Sequence, residues 1–177
     1  GVGIGKEHSR YWLVSIRNTT GKEILDGTNV LMEHYVVQTI GDYVGYRLKQ
    51  EAIWENRICF RTPVTLKCQG KMQERLTIEA VIPAVFRRLY ILDCFEGLDC
   101  EEMRWQGTWP KVLCESSRKI SVLRYSSTQD QRMTLWGIKG ELLLSEIPSE
   151  LLPALLAGEV MHIGKNSSFG FGRYQVR

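Results

Sequence analysis

Gly164, Gly170 and Gly172 fall within nine residues near the carboxyl end of the 177-residue chain, in the run Gly164-Lys165-Asn166-Ser167-Ser168-Phe169-Gly170-Phe171-Gly172-Arg173. Residues without a Cβ let backbone amides approach an anion closely, and Lys165 and Arg173 supply positive charge. Phe169 and Phe171 offer aromatic faces, and Asn166 and Ser167 short polar groups. Amides and cations for phosphates with aromatic planes for bases are the elements of an RNA-binding surface. A tight turn beside two core phenylalanines uses the same residues, and both readings stand at this point. The amino-terminal Gly1-Val2-Gly3-Ile4-Gly5-Lys6 is a poorer phosphate cradle, because Glu7 replaces the Ser or Thr with which a P-loop ligates magnesium. Of His8, His34 and His162, the last is best placed near phosphate; a structural strand histidine is the competing reading.

Charge along the chain is segregated although the net is only +3. Residues 57–75 carry Arg57, Arg61, Lys67, Lys71 and Arg75 against Glu74, a net of +4, and residues 118–140 carry Arg118, Lys119, Arg124, Arg132 and Lys139 against Asp130, again +4. Residues 93–115 sum to −4. This predicts a basic face of the kind a polyanion requires, with solvated strand edges as the alternative.

Apolar residues at 44% and charged residues at 24% match an ordinary globular balance, which excludes a disordered or low-complexity chain. The length excludes a large multidomain enzyme. Every apolar run is shorter than the roughly 18 residues of a membrane span. The five cysteines form no C-x-x-C pair, so neither a disulfide framework nor a zinc knuckle is signalled, and a reducing cytoplasmic location fits. The first residues carry neither a signal peptide nor an initiator methionine, from which the reading expects further chain upstream.

Periodicity supplies the elements. Tyr11–Arg17 reads as a buried strand ended by a turn at Asn18–Gly21, with further strands over Leu31–Ile40 and Tyr43–Leu48. Over Ile58–Cys68 the residues Ile58, Phe60, Val64, Leu66 and Cys68 share one face and Arg61, Thr65 and Lys67 the other; Pro63 argues for an edge or a bulge. Thr77 caps a helix to about Leu92, kinked at Pro83. Lys119–Tyr125 and Arg132–Leu144 form a hairpin, Ser149–Ala157 a short helix stopped by Gly158, Glu159–Ile163 a strand, and Arg173–Val176 the last strand. From Ile58 onward the order is βαββαβ: an α+β, ferredoxin-like antiparallel sheet with helices on one face and the glycine-rich loop near the carboxyl end.

The stretch Tyr125-Ser126-Ser127-Thr128-Gln129-Asp130-Gln131-Arg132-Met133, the pairs Gly137-x-x-Gly140 and Leu152-Pro153, and the run from Gly158 to Tyr174 closely resemble the carboxyl-terminal part of the CRISPR repeat-RNA-processing endoribonucleases of the RAMP superfamily. Arg61-Thr62-Pro63-Val64-x-Leu66-Lys67-x-x-Gly70 and Phe86-Arg87-Arg88-Leu89 resemble the preceding segment of that family, and Gly3-Ile4-Gly5-Lys6 its shorter glycine turn. The resemblance implies an RRM-like RAMP domain over residues 51–177, with residues 1–50 a strand-rich remnant of, or connection from, an upstream domain. It implies an RNA-binding set of Gly164, Lys165, Asn166, Ser167, Gly170, Gly172, Arg173 and Arg132, with Arg61, Lys67, Arg87 and Arg88 secondary. The implied partner is CRISPR repeat RNA, the precursor of guide RNA, together with other CRISPR effector subunits and no membrane. Family chemistry needs no cofactor or metal: a ribose 2′-hydroxyl attacks the adjacent phosphate and leaves a cyclic phosphate. The acid and base of that reaction usually lie in the first domain, so no catalytic residue is assigned. A non-catalytic RAMP subunit holding guide RNA in an interference complex, and an assembly module docking an acidic protein, are the competing readings.

The basic-face reading has a direct test. RNA affinity should fall with salt at a log–log slope of about −0.7 per phosphate contact for a single strand. Titrations at several salt concentrations measure it; an affinity flat in salt removes the basic face.

Overall fold

The computed structural model describes residues 13–18, 21–50, 53–126 and 130–177. The readings placed on Gly3-Ile4-Gly5-Lys6, His8, Tyr11-Trp12, Thr19-Thr20 and Ser127-Thr128-Gln129 lie outside these residues.

Ser15–Arg17 (β1), Glu23–Asp26 (β2) and Asn29–Val30 (β3) form a small antiparallel sheet. β1 was expected to be buried and is exposed. The segment Leu31–Ile40, expected as a strand, instead holds a 3₁₀ turn at Met32–His34, so His34 is not a strand residue; its Nδ1 lies 2.7 Å from the Glu23 carbonyl oxygen. Tyr43–Leu48, also expected as a strand, lies in helix α1, Ile40–Gln50. A reciprocal cap starts this helix. The Asp42 amide donates to Thr39 Oγ1 at 3.1 Å, and the Thr39 amide and hydroxyl donate to the Asp42 carboxylate at 2.9 and 2.8 Å. These bonds hold the Asp42 carboxyl below its usual range.

Arg57–Phe60 (β4), Lys67–Cys68 (β5), Lys71–Met72 (β6), helix α2 (Ile78–Phe95), Val112–Ser126 (β7), Gln131–Leu144 (β8), helix α3 (Leu152–Met161) and Tyr174–Val176 (β9) complete the chain. The main sheet has the order β7-β8-β4-β9, every pairing antiparallel. Leaving out the small β5–β6 hairpin, the sequence order is βαββαβ, so the ferredoxin-like expectation holds. The long run expected over Ile58–Cys68 is broken after Phe60, and the chain then re-enters register through single bridges, Val64 to Ile138 and Thr65 to Lys165. Thr65, expected on the solvent face, is buried because its hydroxyl donates to the Trp136 carbonyl at 2.7 Å.

Ile58, Val64, Val81, Ile82, Val85, Leu142, Leu155, Leu156 and Val176 form a closed core between the sheet and the two helices. Thr77 precedes α2 as expected, and Pro83 lies within it. A proline there leaves the carbonyl four residues earlier without its helical donor. That carbonyl belongs to Glu79, and the Cys68 thiol lies 3.8 Å from it.

α3 differs most from expectation. It extends through Glu159 to Met161, where a glycine stop and a strand were expected. Gly158 is a packing glycine, because a Cβ there would collide with the Tyr174 hydroxyl. Glu159 is 6% exposed and satisfied on every side. Its carboxylate takes the Arg47 guanidinium at 2.5 Å, the Tyr43 hydroxyl at 2.5 Å and the Val176 amide at 2.5 Å, while Arg47 also donates to the Val176 carbonyl at 3.0 Å. Burial, with the Glu159 bond second, pushes the Tyr43 hydroxyl above its ordinary value, so it remains a proton donor.

This network ties α1 to α3 and β9, and breaking it from one side leaves a buried cation. Glu159→Ala should lower unfolding stability by about 3 to 5 kcal/mol. The paired replacement Arg47→Met with Glu159→Leu should recover much of that loss; urea unfolding of both variants measures it, and a loss below about 1 kcal/mol for Glu159→Ala would show the pair is dispensable.

Candidate nucleic-acid interface

Acceptors of the Thr62–Thr65 segment hold the glycine-rich loop by its backbone amides. The Gly172 amide donates to the Pro63 carbonyl at 2.7 Å, the Lys165 amide to the Thr65 carbonyl at 2.9 Å, and the Arg173 amide to Thr62 Oγ1 at 2.9 Å. Across the base of the loop the Ile163 amide donates to the Gly172 carbonyl at 3.1 Å. Within it, Ser167–Phe169 form a 3₁₀ turn preceded by Asn166 at φ 65°, and the Phe169 and Phe171 amides both donate to the Asn166 carbonyl. Gly164 and Gly172 adopt φ of 79° and 80°, and both are pressed against backbone: a Cβ on Gly164 would lie 2.5 Å from the Thr65 carbonyl oxygen, and one on Gly172 would overlap the Ile163 carbonyl. Gly170 shares the left-handed conformation but faces open space.

The two phenylalanines part company. Phe171 is buried against Gly137, whereas Phe169 is 44% exposed with the Arg124 guanidinium 3.8 Å above its ring. Only Phe169 can present an aromatic face. Arg124 comes from the β7–β8 ribbon, which joins β4 only through Glu141–Leu143 of β8, with β7 on the far edge of β8, while the turn end of the ribbon extends beyond that pairing.

Of the expected RNA-binding residues, Gly164, Lys165, Asn166, Ser167, Gly170, Gly172 and Arg173 are brought together in this loop, with Lys165 and Arg173 exposed. Arg132 is not with them. It pairs in register with Tyr125, on alternate strand positions from Arg124 and Met133, and so lies on the opposite face of the ribbon. The residue that sequence reading missed is Arg124, and nothing in its local spacing distinguished it from Arg132. Lys165, Arg173, Arg124, Arg132, Arg118 and Lys139 make no ion pair among the described residues, while Arg57, Arg75, Lys119 and Arg17 each meet a carboxylate. Arg118 and Lys139 even stand directly opposite one another across the ribbon.

The secondary candidates fare differently. Arg88 donates to the Met161 carbonyl at 3.2 Å and so caps the end of α3. Arg87 lies 3.9 Å from Glu102, and Arg61 donates to Gln175 at 2.6 Å; Lys67 is exposed on β5. His162 follows α3 at φ 56° and lines a cavity of about 370 Å³ with Tyr43, Glu159 and Arg173. It is not in a strand. No described helix is long and apolar enough to cross a membrane.

Residues 58–174 match the family described as CRISPR-associated endoribonuclease Cas6. An uncharacterized protein of Archaeoglobus fulgidus is 26% identical over 177 residues, which is 96% of this chain and 55% of that protein. The chain thus spans about half the length of the curated relative it matches. Among solved structures, a partial Cas6-RT-Cas1–Cas2 complex aligns with a TM-score of 0.58 at 14% identity, over 88% of this chain and 29% of the other. The Cas6-RT-Cas1–Cas2 complex gives the same score and identity, over 88% and 18%. At such identity these structures speak to the fold alone, and they agree with the ferredoxin-like sheet.

The loop geometry separates two substitutions of one kind. Gly170→Ala should cost about 1 to 2 kcal/mol, the penalty of a left-handed backbone alone. Gly172→Ala adds the overlap with Ile163 and should cost more, appearing as a further drop of several degrees in Tm, since 1 kcal/mol corresponds to about 2 to 4 °C at this chain length. Equal melting points for the two variants would contradict the packing of Gly172.

Proposed function

Because the chain belongs to the CRISPR-associated endoribonuclease Cas6 family, we propose that it is the carboxyl-terminal, RNA-holding part of an enzyme that cuts precursor CRISPR RNA within its repeats. In this reading residues 51–177 are the RAMP domain, and residues 1–50, whose helix α1 docks on α3, are a remnant of, or connection from, an upstream one. The observation that carries this reading is the group of unpaired cations, Lys165, Arg173 and Arg124, around the left-handed glycine loop and the exposed Phe169. Unpaired cations attract a phosphate backbone, and releasing its counterions drives binding. Phe169 with its Arg124 partner gives a base a stacking plane at the same place.

In this role the loop positions and does not react. Cyclisation needs the 2′-hydroxyl in line with the phosphorus and its leaving oxygen, and holding the flanking phosphates rigidly is what raises the effective concentration of that arrangement. The Gly172–Pro63 and Lys165–Thr65 bonds provide the rigidity. A base for the 2′-hydroxyl and an acid for the leaving oxygen come from elsewhere in the enzyme. The non-catalytic alternative, a subunit that only holds guide RNA, gains support from His34, whose ring is taken up by the Glu23 carbonyl, whereas His162 lines the cavity with Tyr43 and Arg173.

Cleavage of labelled repeat RNA in EDTA separates the two. The full-length protein should make one cut ending in a cyclic phosphate, and the 177-residue chain should bind the same RNA without cutting it. Lys165→Ala, Arg173→Ala and Arg124→Ala should each weaken binding of all RNAs alike, because phosphate contacts carry no sequence information. A full-length protein that binds and never cuts supports the alternative; a mutant that loses only one sequence assigns base reading to the loop; cutting by the 177-residue chain would move the acid and base into it, with His162 first to be replaced.

A further inference from the structure

A second concavity lies beyond Thr65, on the side of the ribbon away from Phe169. Its volume is about 280 Å³, and its walls include Thr65, Gln73, Glu74, Lys119, Trp136 and Ile138. That is at the lower edge of the roughly 300 to 1,000 Å³ of ordinary ligand pockets, a size for one ring system rather than a length of chain. Trp136 is 55% exposed although it stands in a strand next to buried Gly137 and Ile138. Its main chain is fixed by the Thr65 hydroxyl, so the indole is presented on a rigid support. Lys119 Nζ stands over the indole face at 5.5 Å, farther than van der Waals contact, and is held there by Glu74 at 2.8 Å. The Lys119 bond keeps the Glu74 carboxyl ionised below its usual range, so it is an acceptor only.

We propose that this pocket takes a single unpaired guanine of the bound RNA, stacked on Trp136 and read by Lys119 and Glu74. The inference rests on the reading that the chain binds RNA. The choice of base follows from edge chemistry. A carboxylate has two acceptor oxygens, and guanine offers N1–H and N2–H₂ side by side, with O6 next to them as an acceptor for an ammonium. Uracil gives the carboxylate one donor, adenine an amino group next to an acceptor, and cytosine an amino group next to two acceptors, so each leaves one carboxylate oxygen unmatched. Thr65 is the shared wall: its side chain lines the pocket while its carbonyl holds the Lys165 amide of the glycine loop. The pocket and the glycine loop thus meet at Thr65, on opposite sides of the ribbon.

The test uses fluorescein-labelled oligouridine and the same oligomer with one central guanosine, adenosine or cytidine, bound to the 177-residue chain at one fixed salt concentration. Guanosine should bind about tenfold tighter than the all-uridine strand, and more tightly than adenosine or cytidine. In Glu74→Ala the ratio of guanosine to uridine affinity should fall to about one. In Trp136→Ala the guanosine strand should weaken roughly ten- to a hundredfold, the usual worth of a stacking partner. Oligouridine that binds with a normal salt slope but gains nothing from guanosine overturns this pocket and leaves the RNA-binding reading intact. A guanosine preference that survives Glu74→Ala overturns it equally. Failure of every oligomer to bind removes both.

Discussion

The candidate interface depends on the stretch from Thr62 to Thr65, where β4 stops being a regular strand and its backbone turns to serve three partners. Pro63 has no amide to give, but its carbonyl receives Gly172; Val64 exchanges both main-chain bonds with Ile138 of the ribbon; Thr65 receives Lys165 through its carbonyl and holds Trp136 through its hydroxyl. Interrupting the strand is what frees these groups, since in an unbroken ladder they would be consumed by neighbouring strands. The glycine loop, the root of the ribbon and the Trp136 pocket are therefore one rigid piece of backbone. Gly164 and Gly172 are the condition for it, because any side chain at either would push the loop off its carbonyl partners.

Glu159 does comparable service on the far side of α3. A carboxylate that is 6% exposed must be matched completely, and it is, by a guanidinium and a phenolic hydroxyl from α1 and a backbone amide from β9. Such a group specifies which helix lies where more sharply than apolar packing does. α1, whose exposed Ile40 and Leu48 show how little of it is apolar contact, is placed on α3 by this polar match as much as by its Val44.

What was legible in the sequence followed from periodicity that tertiary contacts did not override. The β4, α2 and β9 segments and the carboxyl-terminal half of β8 each carry a consistent apolar face, and they assemble in the order that pattern implied. α1 was misread because Tyr43, Val44 and Tyr46 favour strands and Gly41 and Gly45 weaken a helix. The opposing signal, Thr39 three residues before Asp42, is a reciprocal cap written with the shorter acid. The end of α3 was misread because Gly158 looked like a stop; only the position of Tyr174, sixteen residues later, makes it a packing residue. In the site, the loop was readable because its glycines cluster in sequence. Arg124 and the Trp136 pocket were not, because the pleat decides which of two neighbouring cations faces the loop, and because Glu74 and Lys119 meet only after α2 and β7 have folded.

Arrangement of charge then separates the surfaces that stabilise the fold from those kept for a ligand. Arg57 meets Glu141 and Arg75 meets Glu115, pairs that neutralise the sheet margin. Among the described residues no acid plays that part for Arg118, Lys139, Arg124, Lys165 or Arg173 along the ribbon and loop, and Arg118 opposes Lys139 at a position where like charges cost a strand pair a few tenths of a kcal/mol to about 1 kcal/mol. A fold selected for stability alone would place one Glu there. Leaving the repulsion in place makes sense if the cations are neutralised by a polyanion laid along the ribbon, in which case the same residues that weaken the free protein strengthen the complex. Lys119 is the exception that fits: among the described ribbon cations it alone is matched by an acid, and it stands over an exposed indole, where a paired charge can read a base edge instead of gripping a phosphate.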